Sequence, residues 1–169
     1  MNFKDYIRVI PDYPQPGIRF KDITTLLKEG EVYRAAIAEL KTFTDTLDAD
    51  VIAGPEARGF VVGTPLAVEM GLGFIPVRKA NKLPYKSIQA DYSLEYGKDS
   101  LAIHEDAIKP GDRVVIADDL LATGGTIETT VKLIEQLGGI VVGAVFLIEL
   151  SYLEGRKKLD FPIFSLVTY

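Results

Sequence analysis

The sequence predicts an α/β fold in which a mainly parallel, twisted sheet is flanked by helices. Arg113-Val114-Val115-Ile116-Ala117 is a nearly unbroken apolar run, the pattern of a central parallel strand covered on both faces. Strand-sized apolar runs alternate along the chain with stretches whose apolar residues recur at helical spacing, as repeated strand–helix–strand units require. Glycines and prolines punctuate the junctions.

Phe3, Tyr6, Ile7 and Ile10 recur at helical spacing and predict a short N-terminal helix. Pro11, Pro14, Pro16 and Gly17 then forbid regular structure, so residues 11–19 read as an ordered connector or a lid. Tyr33, Ala36, Ile37, Leu40, Phe43 and Leu47 trace one face of a helix from Glu31 to Leu47. Val51-Ile52-Ala53 is a buried strand ending at Gly54-Pro55. A helix over Phe60–Met70 carries Pro65, as a kink or in an early turn, and stops at Gly71. Phe74–Arg78 reads as the next strand, and residues 79–91 as a polar, basic, mobile loop. Tyr92–Tyr96 and Leu101–His104 are two strands joined through Gly97, in the manner of a hairpin. After Arg113–Ala117 comes a glycine loop, then a helix with Ile127, Val131, Ile134 and Leu137 on one side, closed by Gly138-Gly139. Ile140–Leu150 and Ile163–Val167 supply the last strands. With no repeat, linker or low-complexity segment, the 169 residues read as one domain spanning 1–169.

Composition narrows the function. A net charge of −5 gives no electrostatic reason to expect nucleic acid. The longest apolar stretch, Ile140–Leu150, is too short to cross a bilayer, and Met1–Tyr6 lacks the layout of a signal peptide. The absence of cysteine removes disulfides, thiolate nucleophiles and cysteine zinc sites. The single histidine, His104, argues against a histidine metal cluster or a Ser-His-Asp triad and reads as a satisfied strand residue. A cytoplasmic enzyme or binding protein is what these features leave.

The chemistry lies in Val114 to Thr126. A buried strand ends in Asp118-Asp119, whose carboxylates can accept hydrogen bonds from a vicinal diol or help to hold Mg²⁺. Ala122-Thr123-Gly124-Gly125-Thr126 follows, small enough for backbone N–H groups to close on an anion where a helix begins. Thr123 and Thr126 add hydroxyl donors. Either half alone is ordinary, a polar strand end or a capped turn; together they describe a site for a phosphorylated sugar. Competing motifs fail. Gly54-Pro55-Glu56-Ala57-Arg58-Gly59 has P-loop glycine spacing but continues Phe60-Val61 instead of Lys-Ser/Thr, and Gly71-Leu72-Gly73 meets Pro76 where a dinucleotide fingerprint needs glycine.

The Asp118–Thr126 segment resembles the phosphoribosyl-pyrophosphate motif of the type I phosphoribosyltransferases. Tyr13–Ile23, Gly54–Phe60, Val77-Arg78-Lys79 with Lys82-Leu83-Pro84, Tyr92–Gly97 and Phe164-Ser165-Leu166 extend the resemblance over nearly the whole chain, towards the branch of the family that acts on adenine. The resemblance implies a type I phosphoribosyltransferase-like fold with a hood, from about residues 1–25 and the C-terminal part, and a mobile lid at about 79–100. It implies a reaction in which adenine and phosphoribosyl pyrophosphate give AMP and pyrophosphate, with Mg²⁺ bound mainly through the substrate. Asp118 and Asp119 would hold the ribose hydroxyls, and Ala122, Thr123, Gly124, Gly125 and Thr126 the 5′-phosphate.

By the same resemblance, Glu56-Ala57-Arg58-Gly59 is a pyrophosphate loop with a cis peptide between Glu56 and Ala57, Arg58 supplying a charge-assisted fork. Arg78, Lys79 and Lys82 form a basic group for pyrophosphate, with Arg78 reaching across a homodimer. Phe20 stacks on the purine and Leu150 covers its other face, while backbone groups near Arg19 and Lys21 read the base. Glu95 would relay a proton at the N7 side of the base, and Tyr96 would shield the reacting carbon or touch a phosphate. Ala122 stands where 6-oxopurine enzymes usually carry an acid. A xanthine or other purine transferase, or a non-catalytic regulator that binds phosphoribosyl pyrophosphate, are the alternatives.

Overall fold

A computed structural model describes residues 1–94 and 97–169. A 3-10 turn at Phe3–Tyr6 leads into a separate antiparallel pair, β1 (Arg8–Ile10) and β2 (Phe20–Asp22). A short α1 (Thr24–Leu27) and a long α2 (Gly30–Thr44) precede β3 (Val51–Pro55), α3 (Arg58–Met70) and β4 (Gly73–Lys79). Next come β5 (Ser87–Leu94), β6 (Gly97–His104), β7 (Arg113–Leu121), α4 (Gly125–Gln136), β8 (Ile140–Glu149) and β9 (Ile163–Thr168), with 3-10 turns at Ser151–Leu153 and Gly155–Lys158. The main sheet has the order β5-β6-β4-β3-β7-β8-β9. β4, β3, β7, β8 and β9 run parallel, and the β5–β6 hairpin joins β4 antiparallel.

The apolar run Val114–Ala117 of β7 is explained by its two covered faces. Val115 and Ala117 pack among the residues of α2 and α3, while Val114 and Ile116 pack with those of α4. β8 repeats the alternation, with Val145 and Leu147 on one face and Ala144 and Phe146 on the other. Period-two burial on both sides leaves no position for a polar residue before Asp118 and Asp119; β7 then runs on to Leu121, so the acid pair lies within the strand and not at its end as expected.

Pro65 lies inside α3. Its missing N–H leaves the Val61 carbonyl without its intrahelical donor, and the Tyr33 hydroxyl of α2 donates to that oxygen instead. The proline thereby becomes a tie between the two helices. Gly71 ends α3 with φ +67°, a left-handed cap suited to glycine.

Three expectations need correction. The N-terminal segment is a 3-10 turn followed by β1 rather than one helix: Phe3 and Ile7 are buried, and Ile10 pairs with Phe20 across the small sheet. The loop after β4 is confined to residues 80–86, because residues 87–91 already belong to β5, paired along its length with β6. α3 begins at Arg58, which places that arginine in the first helical turn rather than ahead of it. His104 sits on β6 and accepts from the Tyr85 amide at 3.4 Å through Nε2, as a satisfied strand residue does. Among the described residues no helix is long and apolar enough to cross a membrane.

Candidate active site

The connections set the site's position. From β3 the chain passes through α3 to β4 on one side, and from β7 through α4 to β8 on the other. The adjacent strands β3 and β7 therefore send their chains apart at their C-terminal ends, leaving the crevice where open α/β sheets bind ligands. A cavity of about 220 Å³ lies there, lined by Pro55, Glu56 and Arg58 at and beyond the end of β3 and by the stretch from Asp118 to Ile127, which covers the last residues of β7 and the start of α4.

Close backbone packing shapes this cavity. A Cβ on Gly54 would lie 2.9 Å from the Ala117 carbonyl oxygen, and one on Gly59 would lie 3.1 Å from Asp118 Oδ1. Only hydrogen at both positions lets α3 start directly against the end of β7. Gly124, with φ +89°, adopts a conformation disfavoured for other residues and turns the chain into α4. The free amides of the first turn of α4 then border the cavity, an arrangement that attracts anions.

Asp118 and Asp119 are both buried. Asp118 Oδ1 accepts the Asp119 amide at 2.8 Å, and Arg58 Nε lies 3.1 Å from Asp119 Oδ2. Burial pushes the Asp118 carboxyl well above its ordinary range, and the neighbouring Asp119 charge pushes it further. Burial also raises Asp119, against the opposing pull of the Arg58 guanidinium. Two adjacent acids held out of water, with one cation paired to the second, form a site that a diol's hydroxyls would satisfy.

Arg58 also lies over an aromatic ring, its guanidinium 5.6 Å from the centre of the Phe20 ring. A second cavity of about 560 Å³ opens there, lined by Gly17–Lys21, Leu120, Leu150, Tyr152 and Leu153. It is mostly apolar, and Phe20 enters it braced edge-on by Tyr13 at 5.3 Å. Leu120, immediately after the acid pair, lines both cavities. The two spaces are therefore neighbours.

The Glu56–Ala57 peptide is cis, the geometry implied by the family pattern. Glu56 Oε1 accepts the Lys79 amide at 2.8 Å, and Oε2 accepts Lys82 Nζ at 3.0 Å. Arg78 Nε is 3.3 Å from Glu56 Oε1, close enough for an ion pair but without hydrogen-bond geometry. Burial raises the Glu56 carboxyl, but the Lys79 amide, Lys82 and Arg78 together outweigh it and hold the group below its usual range. Lys79 turns its own ammonium to Asp99, 3.3 Å away.

These features decide the family once set beside known proteins. A phosphoribosyl transferase domain model matches residues 23–168. An adenine phosphoribosyltransferase from Brevibacillus brevis is 72% identical over 170 residues, covering 100% of both chains. The chain belongs to the adenine phosphoribosyltransferase family. The crystal structure of an adenine phosphoribosyltransferase from Thermoanaerobacter pseudethanolicus superposes with a TM-score of 0.96 at 54% identity, covering 99% of this chain and 98% of that one. The Saccharomyces cerevisiae adenine phosphoribosyltransferase, crystallised with an imino-altritol bisphosphate and adenine, gives 0.91 at 38% identity, over 97% and 96% of the two chains.

In this phosphoribosyltransferase the residues singled out from sequence fall into three groups. Glu56, Arg58, Asp118, Asp119 and Ala122–Thr126 line the first cavity. Arg19, Phe20, Lys21 and Leu150 line the second. Arg78, Lys79 and Lys82 gather at the Glu56 end through the contacts just described, and Ala57 lines a separate apolar hollow with Phe20, Lys21 and Arg58. Glu95 and Tyr96 lie outside the described residues. Sequence reasoning missed Ile18, Leu120, Tyr152 and Leu153 in the second cavity. Leu120 carried a usable signal, because an apolar residue directly after a strand-end acid pair must face a ligand space or the core. Tyr152 and Leu153 carried none, since a three-residue 3-10 turn has no periodicity to read.

Proposed function

We propose that this chain catalyses purine salvage by transferring the 5-phosphoribosyl group of phosphoribosyl pyrophosphate to adenine, releasing AMP and pyrophosphate. The observation that carries the reading is a polar, anion-ready cavity and an apolar one flanked by Phe20 and Leu150 lying side by side, with Leu120 in the wall of both. A sugar phosphate in the first and a flat base in the second would meet at the sugar's anomeric carbon.

In this reading Asp118 and Asp119 accept from the ribose 2′- and 3′-hydroxyls, and the Ala122–Thr126 loop donates amides and hydroxyls to the 5′-phosphate. Arg58, at the start of α3, neutralises charge on the departing pyrophosphate. As the bond to pyrophosphate stretches, the ribose takes on oxocarbenium character; the chain's part is to hold the base on the opposite face and to stabilise the leaving group. Phe20 and Leu150 sandwich the purine, and backbone groups near Arg19 and Lys21 read its edge. Glu95 moves the proton and Tyr96 shields the reacting carbon.

Mg²⁺ is the implied metal. Among the described residues no group of three or more acidic or histidine side chains is placed to hold one. Asp118 and Asp119 alone are too few for an octahedral protein cage; they fit a cation that arrives on phosphate oxygens and keeps water ligands. It would supply charge neutralisation on the leaving group. We further infer a cytoplasmic homodimer in which Arg78, helped by Lys79 and Lys82, completes the partner's pyrophosphate site.

The test is to incubate the protein with phosphoribosyl pyrophosphate, Mg²⁺ and a panel of adenine, hypoxanthine, guanine and xanthine, and to identify the nucleotides formed. AMP should dominate with stoichiometric pyrophosphate. Equal or better use of a 6-oxopurine overturns the base assignment, and binding without pyrophosphate release overturns the catalytic one.

A further inference from the structure

Behind the phosphate loop lies an ionic cluster that the reaction does not use, built on a buried glutamate and an exposed arginine. Glu149, the last residue of β8, is buried. Arg156 grips its carboxylate with both arms of the guanidinium, Nε to Oε1 at 2.9 Å and Nη2 to Oε2 at 2.5 Å. Ser165 Oγ donates to the same Oε2 at 2.6 Å, and Arg156 Nη1 donates to the Ile163 carbonyl at 3.0 Å. The cluster thus ties the 3-10 turn at Gly155–Lys158 to β8 and β9 at once. Hydrogen bonds from Arg156, reinforced by Ser165, hold the Glu149 carboxyl below its ordinary range against the effect of burial.

The neighbour of Arg156 is what matters. Gly155 is buried, and its backbone lies against the phosphate loop: a Cβ built on it would sit 2.3 Å from the Ala122 carbonyl oxygen and 3.0 Å from the Gly124 amide nitrogen. A Cβ on Gly124 would in turn meet the Gly155 carbonyl oxygen at 3.0 Å. The loop that must present its amides to an anion therefore rests on one peptide unit, and the adjacent residue is anchored by the ionic cluster. We propose that Glu149, Arg156 and Ser165 are positioning residues for the phosphate loop, pressing Gly155 against Ala122–Gly124 so that the loop keeps its anion-binding shape. The inference rests on reading residues 122–126 as the 5′-phosphate site. It also gives Ser165, on a segment matched by family resemblance alone, a physical task.

The experiment compares Arg156→Gln, Arg156→Lys, Gly155→Ala and the double variant Gly155→Ala/Arg156→Gln with the wild type. The readouts are KM for each substrate, kcat, melting temperature, and calorimetric binding of ribose 5-phosphate. Arg156→Gln should raise KM for phosphoribosyl pyrophosphate and weaken ribose 5-phosphate binding by about tenfold, the scale of effect expected from slight misplacement of a binding group. KM for adenine and kcat at saturation should stay near wild type. Arg156→Lys, which keeps the charge but loses the fork, should fall between. Gly155→Ala should reproduce the selective effect without touching the ion pair, and the double variant should be no worse than the worse single, since both break one chain of contacts. A parallel rise in both KM values, unchanged KM for phosphoribosyl pyrophosphate in both single variants, or full additivity overturns the proposal. If Arg156→Gln does not fold, Arg156→Lys and Gly155→Ala decide by the same selective split. A wild type that fails to bind ribose 5-phosphate counts against the reading of the loop itself. Normal wild-type binding with unaffected variants counts against the clamp alone.

Discussion

Replacing Asp118 with asparagine should make the ligand-free protein more stable at neutral pH while damaging its use of phosphoribosyl pyrophosphate. The asparagine side chain keeps the volume and an oxygen to accept the Asp119 amide, now 2.8 Å from Asp118 Oδ1. What it removes is a charge, buried beside a second acid, whose folded-state pKa burial and Asp119 raise well above the ordinary 3.8. A carboxyl raised on folding binds more protons in the native than in the unfolded chain. Its contribution to stability is therefore full below the unfolded pKa and is lost as pH rises through the folded one. The asparagine variant has no such loss. Its advantage should be near zero at about pH 4 and should grow to about 1–2 kcal/mol by about pH 8, the scale seen when a strained functional group is relaxed. For a chain of this length that corresponds to roughly 2–8 °C in melting temperature. The same change removes a charged acceptor from the ribose diol, worth about 1.5–3 kcal/mol, or roughly a 10- to 100-fold rise in KM for phosphoribosyl pyrophosphate. Thermal unfolding followed by circular dichroism at a series of pH values, without substrate or metal, reads the first effect, and steady-state kinetics the second. A variant less stable than wild type at about pH 8, or a difference that does not vary with pH, would refute the linkage argument.

Three other outcomes can be checked independently. Mixing an Arg78→Ala subunit with one carrying Asp118→Asn and Asp119→Asn should restore up to half of wild-type activity per heterodimer, because one site then carries both defects and the other neither; no recovery in verified heterodimers places Arg78 at its own chain's site or at none. Gly63→Ala, whose new Cβ would lie 2.4 Å from Phe74 Cε2, should lower stability by about 1–3 kcal/mol through overpacking and leave both KM values unchanged; a substrate-selective change would show that the strain reaches the site. Asp22, held at a pKa of about 2 by the Thr24 amide and Arg8, stabilises the fold above its unfolded pKa, and that stabilisation is lost as pH falls through the folded value. Asp22→Asn should therefore lower the melting temperature at neutral pH, with a gap that narrows as the medium is acidified; a gap that widens in acid reverses the sign.

The parts of the molecule legible in the sequence were those where one physical demand acts on many residues together. Burial on both faces wrote β7 and β8 as apolar runs, and the need to bind a sugar phosphate placed acids, small residues and a helix start in one uninterrupted segment. β1 and β2 were illegible because each is a three-residue strand whose partner lies beyond a proline-rich connector. Locally, the spacing of Phe3, Tyr6, Ile7 and Ile10 satisfied a helix equally well. β5 did carry its signal: Ile88, Ala90 and Tyr92 alternate with polar residues and pack towards the α4 face, but the basic residues before them obscured the period-two pattern. The second cavity was legible only in Arg19, Phe20, Lys21 and Leu150, through family resemblance. Its other walls come from a turn and a strand end that chain topology brings together.

Gly54, Gly59 and Gly63 carry a consequence for how this enzyme should be interrogated. At each, an added methyl group would collide with β7, Asp118 or Phe74, so the fit of α3 onto the sheet is encoded in atoms the chain lacks. An alanine scan ranks positions by what is lost when a side chain is cut away, and by construction it passes over residues with nothing to cut. A survey that adds atoms, glycine to alanine to serine, would trace the mould of the active site, where subtraction traces only its contents.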